Sequence, residues 1–112
     1  QELRAARKGL PNKLSSNLVI AYEPAWAIST NPTAAADTPD NAFRAKIYIR
    51  KTLADLYGHK AAESVPIIYG GSVTAENIAS FFSEARMEGA LVGGASLDPN
   101  EFGKIIKALA EI

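Results

Sequence analysis

The stretch Leu18-Val19-Ile20-Ala21-Tyr22-Glu23-Pro24-Ala25-Trp26-Ala27-Ile28 decides the fold. Its first five residues form a short, unbroken apolar run, which reads as a strand buried on both faces of a parallel sheet rather than as a half-exposed hairpin arm. Glu23 follows directly and so stands at the strand's carboxyl end. In open α/β sheets and in (β/α) barrels, that end is where rigid strands aim side chains into a mouth formed by the following loops. Pro24 fixes φ and removes a donor just past the carboxylate, and Trp26 adds a large ring whose N–H needs a partner. Together they suit the stiff hinge of a moving flap.

Two further strand–helix units follow. Ser29 to Asp37 is a loop rich in Thr, Pro and Ala, and Thr38-Pro39 is a cap followed by proline at the first helical position. A helix is predicted from about Pro39 to Tyr57, with Phe43, Ile47, Ala54 and Tyr57 on its apolar stripe and Gly58 ending it. The second strand is Val65 to Tyr69, with Pro66 tolerated at its start, and it runs into Gly70-Gly71-Ser72-Val73. Thr74 caps a helix to about Ala85, whose inner face is Ile78, Phe81, Phe82 and Ala85. The third strand, Ala90 to Val92, runs into Gly93-Gly94-Ala95-Ser96. A last helix opens at Asp98-Pro99-Asn100-Glu101, with Phe102, Ile105, Ile106 and Leu109 facing inward. Upstream of it all, Leu3 to Leu10 reads as the tail of a helix stopped by Gly9 and Pro11.

Three β–α units imply parallel strands with right-handed crossovers. A three-stranded parallel sheet alone has two open edges and an uncovered apolar face, so the pattern is that of a sector of a closed barrel. The chain opens with Gln1-Glu2-Leu3 and its only methionine is Met87. It is therefore expected to be part of a longer protein, with residues 1–112 one segment of a single barrel domain.

Composition narrows the function. Twelve basic and 12 acidic residues cancel among 112, which leaves no overall field to draw nucleic acid or an anionic membrane. An anion site must be local. The absence of cysteine excludes a disulfide framework and thiolate ligation, and no apolar run approaches a membrane span, so a cytoplasmic protein is expected. No metal-ligand spacing, nucleophile elbow or long nucleotide-binding loop is present. His59, among Lys60, Glu63 and Ser64, reads as a solvated surface residue.

Glycine pairs at the ends of neighbouring strands let a backbone approach an anion and turn successive N–H groups onto it. In (β/α) barrels the phosphate site is commonly built from the last two strand–helix loops. Such glycines can equally do no more than make tight turns. A glutamate at a strand end can likewise be simply solvated, but a phosphate site on the neighbouring strands would hold a small phosphorylated substrate within reach of Glu23 as a general base.

The ordered motifs Glu23-Pro24-Ala25-Trp26-Ala27-Ile28, Tyr69-Gly70-Gly71-Ser72-Val73 and Leu91-Val92-Gly93-Gly94-Ala95-Ser96-Leu97 resemble the sixth, seventh and eighth strand–loop units of the triosephosphate isomerase family. The resemblance covers the chain from Asn17 onward. It implies an α/β fold, the C-terminal part of a (β/α)8 TIM barrel, with three parallel strands each followed by a helix. It further implies an isomerase of glycolysis and gluconeogenesis in which Glu23 is the base that moves a proton between neighbouring carbons of dihydroxyacetone phosphate and glyceraldehyde 3-phosphate. By the same resemblance, Ser29, Ser72, Gly93 and Gly94 bind the substrate phosphate, Pro24, Ala25 and Trp26 form a lid hinge, and Tyr69 and Ser72 latch the lid. No metal or organic cofactor is implied, and the partners are the N-terminal part of the same barrel and, when that is complete, a second copy in a homodimer. The family's other donors, a lysine from the first strand and a histidine from the fourth, are not in this chain, so the isolated chain is expected to be nearly inactive. The readings that compete are a non-enzymatic fragment that binds phosphate or self-associates, and another phosphate-binding barrel, which would explain the glycine pairs but not Glu-Pro-Ala-Trp with a lid.

One departure is testable directly. Where the family's lid tip usually reads Gly-Thr-Gly-Lys, this chain has Ser29-Thr30-Asn31-Pro32, losing easy access to positive φ and gaining a stiff proline. Restoring Gly-Thr-Gly-Lys at residues 29–32 of the full-length protein is expected to raise turnover. Unchanged steady-state kinetics would remove the tip as a constraint.

Overall fold

A computed structural model describes residues 18–24 and 37–112. The predicted helix over Leu3 to Leu10, most of the lid segment, and Ser29, Ala25 and Trp26 lie outside the described residues. Within them the order is β1 (Ile20–Tyr22), α1 (Pro39–Tyr57), α2 (His59–Ser64), β2 (Ile67–Tyr69), α3 (Ile78–Ser83), a 3-10 turn (Gly94–Leu97) and α4 (Pro99–Ala110). No described helix is long and apolar enough to cross a membrane.

The long helices begin and end where their caps are. Thr38 Oγ1 accepts from the Asn41 amide at 3.1 Å ahead of Pro39. At the other end Gly58 takes φ +94° and donates to the Ala54 carbonyl at 2.8 Å. Asp98 Oδ1 accepts from the Asn100 amide at 2.9 Å to start α4. Glu101 closes no reciprocal box there; its Oε1 accepts from the Ala75 amide at 3.4 Å and ties α4 to the turn before α3.

Strands β1 and β2 are parallel, with Ile20 opposite Ile67, Ala21 opposite Ile68 and Tyr22 opposite Tyr69. Side chains at paired positions share a face. Ile67 and Tyr69 point to the helices and are fully buried, in a core with Ala42, Val73, Ile78, Phe81, Ala85, Met87 and Ile105. The alternate residues, exposed Val19 and Ala21, half-buried Ile68 and exposed Leu91, leave the opposite face open. The first strand is thus covered on one side, as a barrel sector requires, and not on both.

The predicted third strand, Ala90 to Val92, is corrected to a single parallel bridge between Tyr69 and Ala90. The Tyr69 amide donates to Gly89 O at 3.0 Å and Tyr69 O accepts from the Leu91 amide at 2.8 Å. One step earlier a regular parallel ladder would give the Ile67 amide a backbone carbonyl. Instead it donates to Glu88 Oε1 at 3.1 Å, while Ile67 O accepts from the Glu88 amide at 3.0 Å. A side chain has taken the place of a main-chain acceptor, and beyond Tyr69 the partner strand bends through Gly71-Ser72.

That carboxylate is held from α1. Arg50 donates to Glu88 Oε1 at 2.7 Å and to the carbonyls of Ala62 at 2.7 Å and Val65 at 2.5 Å, and Lys46 Nζ lies 3.7 Å from the same oxygen. Lys46 also donates to the carbonyl of Arg86, a non-glycine residue at φ +56° where the chain leaves α3. With Arg50 held inward, α1 buries Ala42 and Leu53 and packs Phe43, Ala54 and Tyr57 of the predicted stripe against the core, while Ile47, expected on the same stripe, is 52% exposed. On α4 only Ile105 is buried, whereas Phe102 and Ile106 are exposed on the side that α3 does not cover.

Burial pushes the Glu88 carboxyl up, but the Ile67 amide, the Arg50 hydrogen bond and the charges of Arg50 and Lys46 outweigh it and hold its pKa below the usual 4.5. A depressed carboxylate pKa stabilises the fold fully above its ordinary value, and the contribution is lost as pH falls through the lower folded value. Glu88→Gln in the full-length protein is expected to cost about 1–2 kcal/mol near neutral pH, a discounted figure because the side chain is 39% exposed. Urea unfolding should show the gap to wild type closing below about pH 4. A gap that is the same at both pH values would remove the charge from the account.

Candidate active site at the strand ends

The parallel register brings three strand ends to one edge. Glu23 follows Tyr22, Gly70 follows the paired Tyr69, and Gly93 lies three residues beyond Ala90, the bridge partner of Tyr69. Adjacent strands stand roughly 4.8 Å apart, so the three loops open side by side within about 10 Å. Glu23 is exposed and lies on the open face of the sheet, where no described residue donates a hydrogen bond to it. Its side chain lies over Gly70: a β-carbon there would stand 2.5 Å from Glu23 Cγ and 2.9 Å from Oε1. Glycine at position 70 is what gives the carboxylate room. Pro24, next in the chain, is buried.

The loop after β2 is built by Asn77. Its Nδ2 donates to the Ser72 carbonyl at 2.7 Å, and its Oδ1 accepts from the Thr74 amide at 2.9 Å. In return Thr74 Oγ1 accepts from the Asn77 amide at 3.2 Å. This reciprocal pair is a capping box with asparagine in the usual Glu/Gln place, so Thr74 is a cap although regular helix begins only at Ile78. Ser72 is half-buried within this frame. Gly93 and Gly94 are exposed, and a β-carbon on Gly93 would meet nothing within 4 Å, so the backbone there can be approached closely. Ser96 fastens the turn, its amide and hydroxyl both donating to the Gly93 carbonyl, at 2.9 and 2.6 Å.

Tyr69 is placed differently from the other site candidates. Its ring is fully buried and stacks on Phe81 at 4.0 Å between centroids and 13° between planes, with Tyr22 tilted beside it at 6.3 Å. Its hydroxyl occupies the space a β-carbon on Gly71 would need. Burial first, then the negative charge of Asp37 and the neighbouring Tyr22, push the Tyr69 pKa far above the usual phenol value. The phenol is a permanent donor. Among the described residues no group of three or more His, Cys, Asp or Glu side chains is arranged to hold a metal ion.

Two residues here escaped the sequence reading. Asn77 carried a signal, the Thr-x-x-Asn spacing from Thr74, that the expectation of a helix starting at Ala75 passed over. Asp37 carried none: it ends an alanine run and reads as loop, yet it is only 7% exposed.

Residues 1–109 match the family model described as triosephosphate isomerase. The chain belongs to the triosephosphate isomerase family. It is 44% identical over 107 residues to the triosephosphate isomerase of Mycoplasmoides gallisepticum, an alignment covering 96% of this chain and 41% of that protein. It is 48% identical over 105 residues to that of Caldanaerobacter subterraneus subsp. tengcongensis (94% and 41%), and 48% identical over 101 residues to that of Lactobacillus gasseri (90% and 39%). The chain thus spans about two-fifths of the length of these triosephosphate isomerases, and it matches their C-terminal part.

Substituting Gly71→Ala is expected to cost about 1–3 kcal/mol, because the new methyl group collides with the Tyr69 hydroxyl. The loss should shrink when Tyr69→Phe is added. Equal losses in the two backgrounds, read from urea midpoints, would rule out the clash as its cause.

Proposed function

We propose that this chain carries the base and the phosphate-binding loops of a triose-phosphate isomerase, acting once the N-terminal part of the barrel is present. Glu23 takes a proton from the carbon beside the carbonyl of dihydroxyacetone phosphate or D-glyceraldehyde 3-phosphate, the electron pair moves to the carbonyl oxygen, the proton of the neighbouring hydroxyl passes to that oxygen, and the same carboxyl returns its proton to the former carbonyl carbon. The enediolate formed between these steps needs donors aimed at its oxygens. By family resemblance, those are the lysine and histidine from strands outside this chain. Backbone amides of Ser72, Gly93 and Gly94, with Ser29, receive the phosphate. Pro24, Ala25 and Trp26 act as the hinge of the loop that covers the substrate, and Tyr69 and Ser72 as its latch. The reaction takes place in the cytoplasm, in a homodimer, with no metal or organic cofactor.

The observation that carries this reading is the position of Glu23. Its side chain emerges on the open face of the sheet, over Gly70, one strand from Ser72 and two from Gly93-Gly94. A carboxylate that must reach a substrate carbon while glycine-rich loops hold its phosphate needs this combination of access and neighbours. The second strand end supplies room and the third supplies uncrowded backbone.

In the full-length protein, Glu23→Gln is expected to lower kcat by about a hundredfold to ten-thousandfold, the range for loss of a general base. Competitive inhibition by inorganic phosphate should stay within about twofold of wild type, since the amides are untouched. Wild-type turnover in this variant would remove Glu23 from the role, and loss of phosphate inhibition along with turnover would mean that the side chain holds the loops rather than the proton.

A further inference from the structure

A glutamate three residues past a helix cap ordinarily reaches back to the amide of the cap residue. In α4 that amide, of Asp98, donates instead to the Ala95 carbonyl at 3.3 Å, and Glu101 Oε1 accepts from the Ala75 amide at 3.4 Å, 26 positions away in the sequence. Glu101 is half-buried and stands one turn before Ile105, the buried residue of α4, so both lie on the face turned to α3 and the turn before it. Ala75 and Ala95 pack against the apolar cluster that contains Ile78 and Ile105. Apolar contact of this kind is non-directional, whereas a hydrogen bond to one particular amide sets a register. On each side of that bond the chain is fastened up to a glycine loop. Toward β2, Asn77 accepts from the Thr74 amide at 2.9 Å and donates to the Ser72 carbonyl at 2.7 Å. Toward the third segment, Asp98 Oδ1 accepts from the Asn100 amide at 2.9 Å, and the Ser96 amide and hydroxyl both donate to the Gly93 carbonyl. The hydrogen bonds form one chain from Ser72 to Gly93, and Glu101 is the link that crosses between the loops.

We propose that Glu101 is a positioning residue that joins the two loops into a single cradle for the substrate phosphate. The cradle rests on the reading of Ser72, Gly93 and Gly94 as phosphate donors; the joining of the loops does not. An anion bound by amides from two loops needs both sets aimed at one point, and hydrogen bonds weaken steeply as donors turn off line. A loop that its ligand must order loses part of the binding free energy to that ordering. The link sets the spacing in advance. Glu101 acts through an acceptor oxygen rather than through its charge, since a negative charge by itself repels a phosphate.

The test uses the full-length protein with Glu101→Ala and Glu101→Gln. Without phosphate, Glu101→Ala is expected to move the amide NMR resonances of Ala75, Ser72 and Gly93. Glu101→Gln keeps an acceptor oxygen and should leave Ser72 and Gly93 near their wild-type positions. Movement that stops at Ala75, or at the neighbours of residue 101, would overturn the joining. Inorganic phosphate is then used as a competitive inhibitor. Glu101→Ala is expected to weaken it by about threefold to tenfold, and Glu101→Gln to stay within about twofold of wild type. The sign separates positioning from charge, because loss of a negative charge alone would tighten phosphate binding in both variants. Phosphate inhibition of Glu101→Ala that is unchanged or tighter would overturn the positioning role. If Ser72 and Gly93 move as expected while phosphate fails to inhibit the wild-type protein, the joining of the loops stands and the reading of them as a phosphate site fails.

Discussion

One carboxylate at the amino end of the strands sets the height of everything at the other end. Glu88 takes the Ile67 amide in place of a main-chain carbonyl, and Arg50 and Lys46 hold it there from α1. The segment that follows is thereby limited to one bridge, Tyr69 to Ala90, and that bridge fixes how far Gly93-Gly94 stands beyond Gly70. Arg50 multiplies the effect by also binding the carbonyls of Ala62 and Val65, so a single guanidinium joins α1, α2, the start of β2 and the third segment. A planar group with five donors can serve several acceptors at once, which a lysine at the same place could not. The tie lies at the opposite end from the candidate site, the usual division in barrels between the face that holds the fold and the face that does chemistry.

How legible such a molecule is in its sequence depends on whether an element is decided locally. The bounds of helix α1 were legible because Thr38, Pro39 and Gly58 act within one turn of where they stand. The buried side of α1 was legible through Phe43, Ala54 and Tyr57, but its edge was not. The apolar stripe included Ile47, while the deciding contact is Arg50 with acceptors 12 to 38 residues away. The third strand failed for the same reason: Ala90-Leu91-Val92 has strand composition, and nothing in it reports that the Glu88 side chain will occupy the ladder one step earlier. Helix α2 is short and its first residue follows the glycine that ends α1, so a stop signal concealed a start.

The candidate site divides along the same line. Glu23 and the glycine pairs announce themselves by standing directly after apolar runs, and the register of the two strands carries those positions into space without further information. Asn77 was half legible through its spacing from Thr74. Asp37 was not legible at all, because nothing in the alanine-rich run that it ends signals burial.

The strand ends thus hold two carboxylates in opposite circumstances. Asp37 is buried, and its negative charge, after burial, pushes the pKa values of Tyr22 and Tyr69 up. Glu23 stands on the open side, with Gly70 beneath it and no described donor upon it. A general base must come within hydrogen-bond reach of a substrate carbon, and an acid that is 7% exposed cannot do so without opening the core. The open carboxylate can, and its neighbours are glycines rather than bulky side chains. Of the two carboxylates, only Glu23 has the access that the proposed role of general base requires.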